Sequence, residues 1–573
     1  MSRQQFTARN NIGSVLTFQK SGATASFNPN VSFSSGSRRV SWKLDNGSET
    51  TQTAGNSITY TGFTSDTGIR TIQMKGNSFT NTNNFNLQDD NLFGHMDLSP
   101  LKSFTNNSSI FLNTNPRLTG VTNPNVTTTF SNYQVSNCGL IGNLDMTPIS
   151  GDINSFAVNS NPLLTSITHN VTSRIINGYT AHSCGLIGNL NLPSTGLSGS
   201  FQVYSNPNLT GITHSPSSNS ITNYLAYVCN LTGNLDLTPL SGLGSDFRVQ
   251  LNPNLTGITH SPTPNNFTLY YADNCNLTGN LDLTPLSGLG GQFFVYSNPN
   301  LTGITHSPSP NNFTLYNASS CNLTGNLDLT PLSGLGNNFQ VQTNPNLTGI
   351  THSPSPNNFT IYRADSCNLT GNLDLTPLSG LGGLFTLANN PNLTGITNPT
   401  SIRNFTEYSL NTCGLIGVLD LTPLSNFGGV SSASTCIFGV SNNSFLSGVT
   451  FPVVNTFFKN ANNNDTLAAF RMYQNNLDYV DFKPLSGATL ISGTTQGAPR
   501  ITLQNNNMST SDVNHILVDF SGNATYNPSG WSNVNLNISG TNGAPDSGSG
   551  GYDGLAAISF LTGSPYNWTI THT

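Results

Sequence analysis

The chain has 573 residues, of which only 7% are charged, and a formal net charge of −6. An ordinary globular protein carries roughly 25% charged residues; here Asn, Ser, Thr and Gly fill the difference, giving a neutral polar surface that suits an exterior setting better than a cytosolic enzyme. No Lys/Arg cluster occurs, which argues against nucleic acid, and no apolar run approaches twenty residues, which argues against a membrane span.

In chain order, the opening stretch MSRQQFTARNNIGSVLTF lacks the apolar core of a secretory signal peptide. Residues 1–84 then read as a small β-rich N-terminal domain or cap. SWKLDNGSETT, SITYTGF and GIRTIQMK alternate like strands around an Asn-Gly turn. Their arrangement is loosely similar to a PKD-like β-sandwich.

From about residue 85 a period takes over. Seven cysteines, Cys138, Cys184, Cys229, Cys275, Cys321, Cys367 and Cys413, fall 45 or 46 residues apart, and an Asn-Pro-x-Leu motif starting at Asn115, Asn161, Asn206, Asn252, Asn298, Asn344 and Asn390 keeps the same beat. A fixed period of this size signals a solenoid. Each unit holds two half-units. One carries Phe293, Val295, Asn298 and Leu301; the other carries Tyr316, Ala318, Cys321 and Leu323. The two-residue period of a strand points the first and third positions of each motif inward. The Thr330-Pro331 pair reads as the start of a helical or 3₁₀ turn, with Thr as N-cap and Pro at N1.

These motifs, with LTGNLDLTPLSGL at residues 323–335, resemble the leucine-rich repeat, in the variant common in plant-type proteins. The chain departs from that variant by lacking a Pro directly after the second apolar position. The resemblance implies a mainly β, right-handed solenoid over residues 85–520. It implies a parallel sheet on the concave face and short turns and 3₁₀ pieces on the convex side. Beyond it, residues 521–573 read as a C-terminal cap. SDVNHILVDF (511–520) and DGLAAISFL read as short helices, NLNISG as a strand, and APDSGSGGYDG as a flexible loop.

Candidate chemistry is mostly repeated, and catalysis needs a unique constellation. No enzyme motif is found, and no catalytic residue or cofactor is expected. His214, His260, His306 and His352 recur once per unit. Equivalent residues two turns apart sit about 10 Å from each other, too far to share a metal ion; they read as turn histidines, with no metal site. The same spacing forbids disulfides along the cysteine row, and none is expected between Cys413 and Cys436. The thiols should be reduced, buried filler. Asp236, Asp282, Asp328 and Asp374 read as caps of the adjacent turn, with calcium the alternative. The many Asn-x-Ser/Thr matches coincide with repeat framework and are not taken as glycosylation sites.

The three complete units 247–292, 293–338 and 339–384 differ at ten of 46 positions. Most changes fall at the outward positions of the strand motifs: Arg248, Phe294 and Gln340; Gln250, Tyr296 and Gln342; Tyr271 and Arg363; Asp273 and Asp365. Stretches expected to be exposed, such as THSP, stay constant. Variety concentrated on the concave face, with Tyr, Phe and Arg among the changes, points to partner recognition. The expected function is therefore non-enzymatic recognition of a bacterial surface protein or glycan by these ten residues. The exterior-type surface without an export signal suits a phage virion, as a tail-associated, receptor-binding component with other virion proteins as further partners. A bacterial cell-surface adhesin and a structural or decoration virion protein are the alternatives.

Overall fold

The computed structural model describes residues 81–573 apart from short stretches of connecting loop, the longest at 488–499, and before residue 81 the strands named below. The chain is mainly β, a parallel β-solenoid with a spacing of about 23 residues per turn. It divides into two compact units, residues 1–276 and 277–573.

In the first unit, one long sheet runs parallel through Thr82–Asn86, Phe104–Phe111, Phe130–Gln134, Ile153–Ala157, Ile176–Thr180, Leu197–Gln202, Ser220–Leu225, Gly244–Arg248 and Asn266–Tyr271. Its first edge is covered by an antiparallel strand, Asn30–Phe33. A second edge is covered in the same way. Ser14–Lys20 runs antiparallel to Leu92–Asp97, which pairs parallel with Arg117–Thr122. The strands Arg38–Leu44, Glu49–Ala54 and Arg70–Gly76 extend that sheet antiparallel. The N-terminal strands are thus hydrogen-bonded into the start of the solenoid, where they close edges that would otherwise offer unpaired backbone.

The second unit repeats the pattern. Its long sheet runs from Gly290–Phe294 through Asn312–Asn317, Gly336–Gln340, Asn358–Arg363, Gly383–Thr386, Phe405–Ser409, Cys436–Gly439, Ala468–Arg471 and Arg500–Thr502. It continues past residue 520 through Asn535–Asn537 to Thr569–Thr571. Two helices flank this end. α1 (Thr510–Tyr526) starts at a capping box between Ser509 and Asp512, and α2 (Gly554–Thr562) starts at Asp553, whose carboxylate accepts from the Ala556 N–H. Phe520 of α1 packs on Phe482, Trp531 and Trp568. The APDSGSGGYDG stretch is not a loose loop. Asp546 accepts from the Ser549 hydroxyl, from the Ser549 and Gly548 N–H groups and from Asn514 of α1, and those bonds hold its carboxyl well below the usual range.

The side opposite the long sheet differs from expectation. It carries strand couples as well as turns. Thr278–Asp282 pairs parallel with Asn300–Thr305, and Thr324–Asp328 with Asn346–Thr351. The first unit has the same couples, such as Thr232–Asp236 with Asn254–Thr259. Between couples the backbone contact shrinks: Asn322 N–H still donates to Leu301 O, and the Thr324 hydroxyl to Thr302 O. Nor does Thr330-Pro331 begin a helix. Asp328 accepts from the Thr330 N–H at 2.9 Å, and Leu332 N–H closes on Leu329 O at 3.0 Å. That is a single β-turn. The Asp cap expected from the sequence is present, but no room remains for a helical turn before the chain re-enters the core. Among the described residues, 3₁₀ geometry occurs at Lys483–Leu485 and Ser549–Gly551.

The core is a stack of equivalent residues. Phe293, Val295, Leu301, Tyr316, Ala318 and Leu323 are all buried. Each buries little against its own turn and much against the turns on either side, which is why the array must stack to be stable. Asn and Cys occupy the same inward corner for a shared reason. Asn344 donates to the carbonyls of Ala318 and Val341 and accepts from the Leu323 N–H. Cys321 sends its thiol to Val295 O at 3.2 Å. Both satisfy a carbonyl of the preceding turn that would otherwise be buried without a partner. The seven repeat cysteines are buried and free, and burial pushes thiols such as Cys321 up to about 11 and Cys367 up to about 12. The Cys436 side chain lies outside the described residues.

Candidate recognition face

Strand alternation leaves three outward columns on the long sheet: the residue before the inward aromatic, the one after it, and the one after the next inward residue. In the second half of the first unit these columns hold Asp246, Arg248 and Gln250, then Leu269, Tyr271 and Asp273 on the next strand. Arg248 bonds Asp246 at 2.8 Å, and its guanidinium lies 5.1 Å from the centre of the Tyr271 ring. Asp246 thereby aims the guanidinium along the face, where ion pairing and ring contact act together.

The third column holds the main feature. His182, Tyr204 and Tyr227 stand on successive strands as a ladder of parallel rings. His182 and Tyr204 are 4.3 Å apart with planes 7° from parallel; Tyr204 and Tyr227 are 4.6 Å apart at 3°. This spacing is close to the roughly 4.8 Å between neighbouring strands, so the backbone imposes the stack. Burial, then the neighbouring Tyr204, raises the Tyr227 phenol above its ordinary range. The strand-motif comparison of the three most regular units missed these residues, because they lie in earlier, less regular copies. Reading the same outward column through every copy would have found them.

In the second unit the expected residues are half-buried on the same kind of face. Phe294 and Tyr296 meet edge to face at 6.0 Å. Gln340, Gln342, Arg363 and Asp365 are likewise half-buried. Burial raises the carboxyls of Asp365 and Glu407, with Arg363 opposing the shift in both. Glu407, which sequence reasoning did not single out, therefore belongs with this charged patch. Asp273 departs from expectation. It is only 6% exposed, and its carboxylate accepts from Asn274 at 2.8 Å, so it shapes the turn and offers a partner little surface.

The repeated histidines are not turn residues. His306 is 5% exposed, and Ser307 beside it is 1% exposed. The constancy of the His-Ser pair in THSP therefore reflects packing. His306 Nε2 lies 3.2 Å from the buried Tyr316 hydroxyl, and His352 Nε2 lies 3.1 Å from that of Tyr362. In two less regular turns Asn takes the place of His, and its carboxamide oxygen accepts from Tyr133 or Tyr408. The shared function is to give the buried tyrosine hydroxyl a hydrogen-bond partner. Burial lowers His214, His306 and His352 to about 4, with the neighbouring Asp opposing the shift, so these rings are neutral at pH 7.

One non-repeated cluster lies near the C-terminal end. His515 of α1 is stacked between Tyr479 and Tyr552, each 3.8 Å away. The buried Asp519 accepts from Tyr479 at 2.6 Å and faces Lys483 at 3.4 Å. These contacts fasten α1 to the turn before it. Among the described residues, no group of three or more His, Cys, Asp or Glu could hold a metal ion, and no helix is long and apolar enough to cross a membrane. Comparison with protein-family models, with curated proteins and with solved structures finds no match.

Proposed function

We propose that the chain is a non-enzymatic recognition protein of the leucine-rich-repeat kind, with the long sheet as the concave face of a right-handed solenoid. Its partner is a bacterial surface protein or glycan, and its setting is a phage virion, as a tail-associated, receptor-binding component. One observation carries the reading. Most residues that change between otherwise matching copies stand on the outward columns of the long sheet, where they form an Arg248–Tyr271 contact and a Phe294–Tyr296 pair, and the same columns carry a ring ladder in the earlier copies. Aromatic and Arg side chains held rigid by a scaffold are the usual anchors of binding, and the neutral polar composition supports an exterior setting.

Adsorption of the purified full chain to bacterial cells tests this. Replacing Tyr204, Tyr227, Arg248, Tyr271, Phe294, Tyr296 and Arg363 together by Ala should abolish adsorption while circular dichroism stays unchanged. Adsorption that survives would remove the recognition face from the reading. Mass spectrometry of purified phage particles and of cell envelopes separates the virion setting from a bacterial cell-surface adhesin. A particle-bound chain that adsorbs to no cell would be a decoration protein.

A further inference from the structure

The face opposite the long sheet carries a second set of sites, independent of the first. Because its strands pair only in couples, a groove opens between one couple and the next. Three such grooves are formed by equivalent residues of different repeats. One, in the first unit, has a volume of about 490 Å³ and is lined by His214, Asn234 and Asp236 among others. The other two follow one another in the second unit, at about 270 Å³ and 290 Å³. The first of that pair is lined by Asn280, Thr305, His306, Asn326 and Asp328; the second repeats the set 46 residues on, from Asn326 to Asp374.

Two observations point to a ligand. The first is the buried histidine. Its Nε2 lies within hydrogen-bond distance of the tyrosine hydroxyl, in the place where Asn meets that hydroxyl in the less regular turns. In those turns the second polar group is satisfied from within. Asn123 donates to Asp145 O at 2.7 Å and Asn398 to Asp420 O at 2.8 Å, while His169 Nδ1 takes a bond from the buried Arg174 at 2.7 Å. In His214, His306 and His352, Nδ1 is buried and has no hydrogen-bond partner. The regular repeat thus leaves, in the histidine that lines each groove, a buried ring nitrogen without the bond that the less regular turns supply. The second observation is constancy without burial. Asn280, Thr305, Asn326 and Asp328 are exposed, yet they are identical in every complete unit, while the opposite face varies.

From these we infer that the grooves bind a neutral glycan chain, one short segment per groove. Identical sites repeated every two turns, about 10 Å apart, suit a polymer that itself repeats. That distance is the length of an extended disaccharide. The exposed lining offers amides, hydroxyls and one carboxylate, the groups that pair with sugar hydroxyls, over one buried imidazole. It holds no Lys or Arg, which disfavours an anionic polysaccharide. A peptide lacks the repeat and would need apolar pockets for its side chains.

Titration calorimetry of the full chain with cellohexaose, chitohexaose and β-1,4-mannohexaose, each beside its disaccharide, tests the inference. At least one hexaose should bind roughly tenfold or more tighter than its disaccharide, because linked segments occupy neighbouring grooves. The pair His306→Asn and His352→Asn copies a residue the chain already uses at this position, so the fold is kept while the unbonded ring nitrogen gives way to an amide that bonds within the turn. That variant should lose at least about tenfold in affinity, as should Asn280→Ala with Asn326→Ala. Tyr204→Ala with Tyr227→Ala should leave glycan binding unchanged, which keeps this site separable from the recognition face. The inference is overturned if no hexaose binds at millimolar concentration, if length has no effect, if the groove variants bind normally, if the tyrosine variants abolish binding, or if an extended peptide occupies the grooves instead.

Discussion

The two faces of the repeat obey opposite rules. On the long sheet the backbone is continuous and the outward letters change from copy to copy. On the coupled strands the backbone pairing lapses every second turn and the exposed letters stay fixed. A continuous ladder satisfies its own backbone, so its outward side chains are free to differ without cost to folding. Where pairing lapses, side chains take over the bonding. The Thr324 hydroxyl bridges to Thr302 O of the couple before, while within a couple Asn326 and Thr351 add a bond at 3.0 Å to the backbone pairing. Constancy there has a structural component as well as the functional one proposed above, and variants can separate the two.

The largest effect should come from the residue that serves both faces by closing each turn. Asn344→Leu removes an acceptor for the Leu323 N–H and donors for two buried carbonyls, and should cost about 3 kcal/mol or more. Hydrogen exchange should show the loss confined to the turns around residues 318–347. Uniform loosening of the whole second unit would mean that the turns do not act as local modules.

Acid comes next. The unfolded chain holds a proton on each of His214, His306 and His352 with an ordinary affinity, whereas the folded chain holds it only below about pH 4. Stability should therefore fall as pH drops from about 6.5 toward 4, by up to about 3 kcal/mol per histidine, and level off below that. Urea unfolding against pH measures this. His306→Asn with His352→Asn should flatten the profile, and an unchanged profile would mean that other groups drive acid unfolding.

A smaller effect is expected on the long sheet. Tyr204→Ala should lower the unfolding free energy by about 1–2 kcal/mol, since its ring is half-buried and a stacked pair adds about 0.5–1.5 kcal/mol beyond its area, while weakening adsorption to cells. Smallest of all is Arg248→Ala, whose partly exposed ion pair and ring contact contribute about 1 kcal/mol or less. A large stability loss from either would mean that the varied face is structural.

Much of the scaffold was legible in the sequence. Phe293, Val295, Asn298 and Leu301 recur at strand spacing, and the two-residue period alone assigns them inward. Asp328 as a turn cap was legible because the bond is local. The role of His306 was not, because it depends on Tyr316 ten residues away across a turn. The exchange of His for Asn at positions 123 and 398 was the available signal. The coupled strands were also hidden. They rest on backbone states such as Gly325 at φ +68°, which the letters LTGN permit but do not dictate. The ring ladder was missed for a different reason: a comparison of the most similar copies looks past His182, Tyr204 and Tyr227, which lie where the copies diverge.

The corner Asn and Cys side chains reach only to their own turn and the one before, and that has a consequence for length. Removing residues 293–338 would bring Gln292 next to Phe339 and leave every remaining corner with a neighbour of the right kind. Inserting a second copy would do the same. The number of turns is therefore a quantity that the gene can count up or down in steps of one unit without redesigning a core. On a surface whose varied face and grooved face both advance with each step, such a change alters reach and the number of attachment points together.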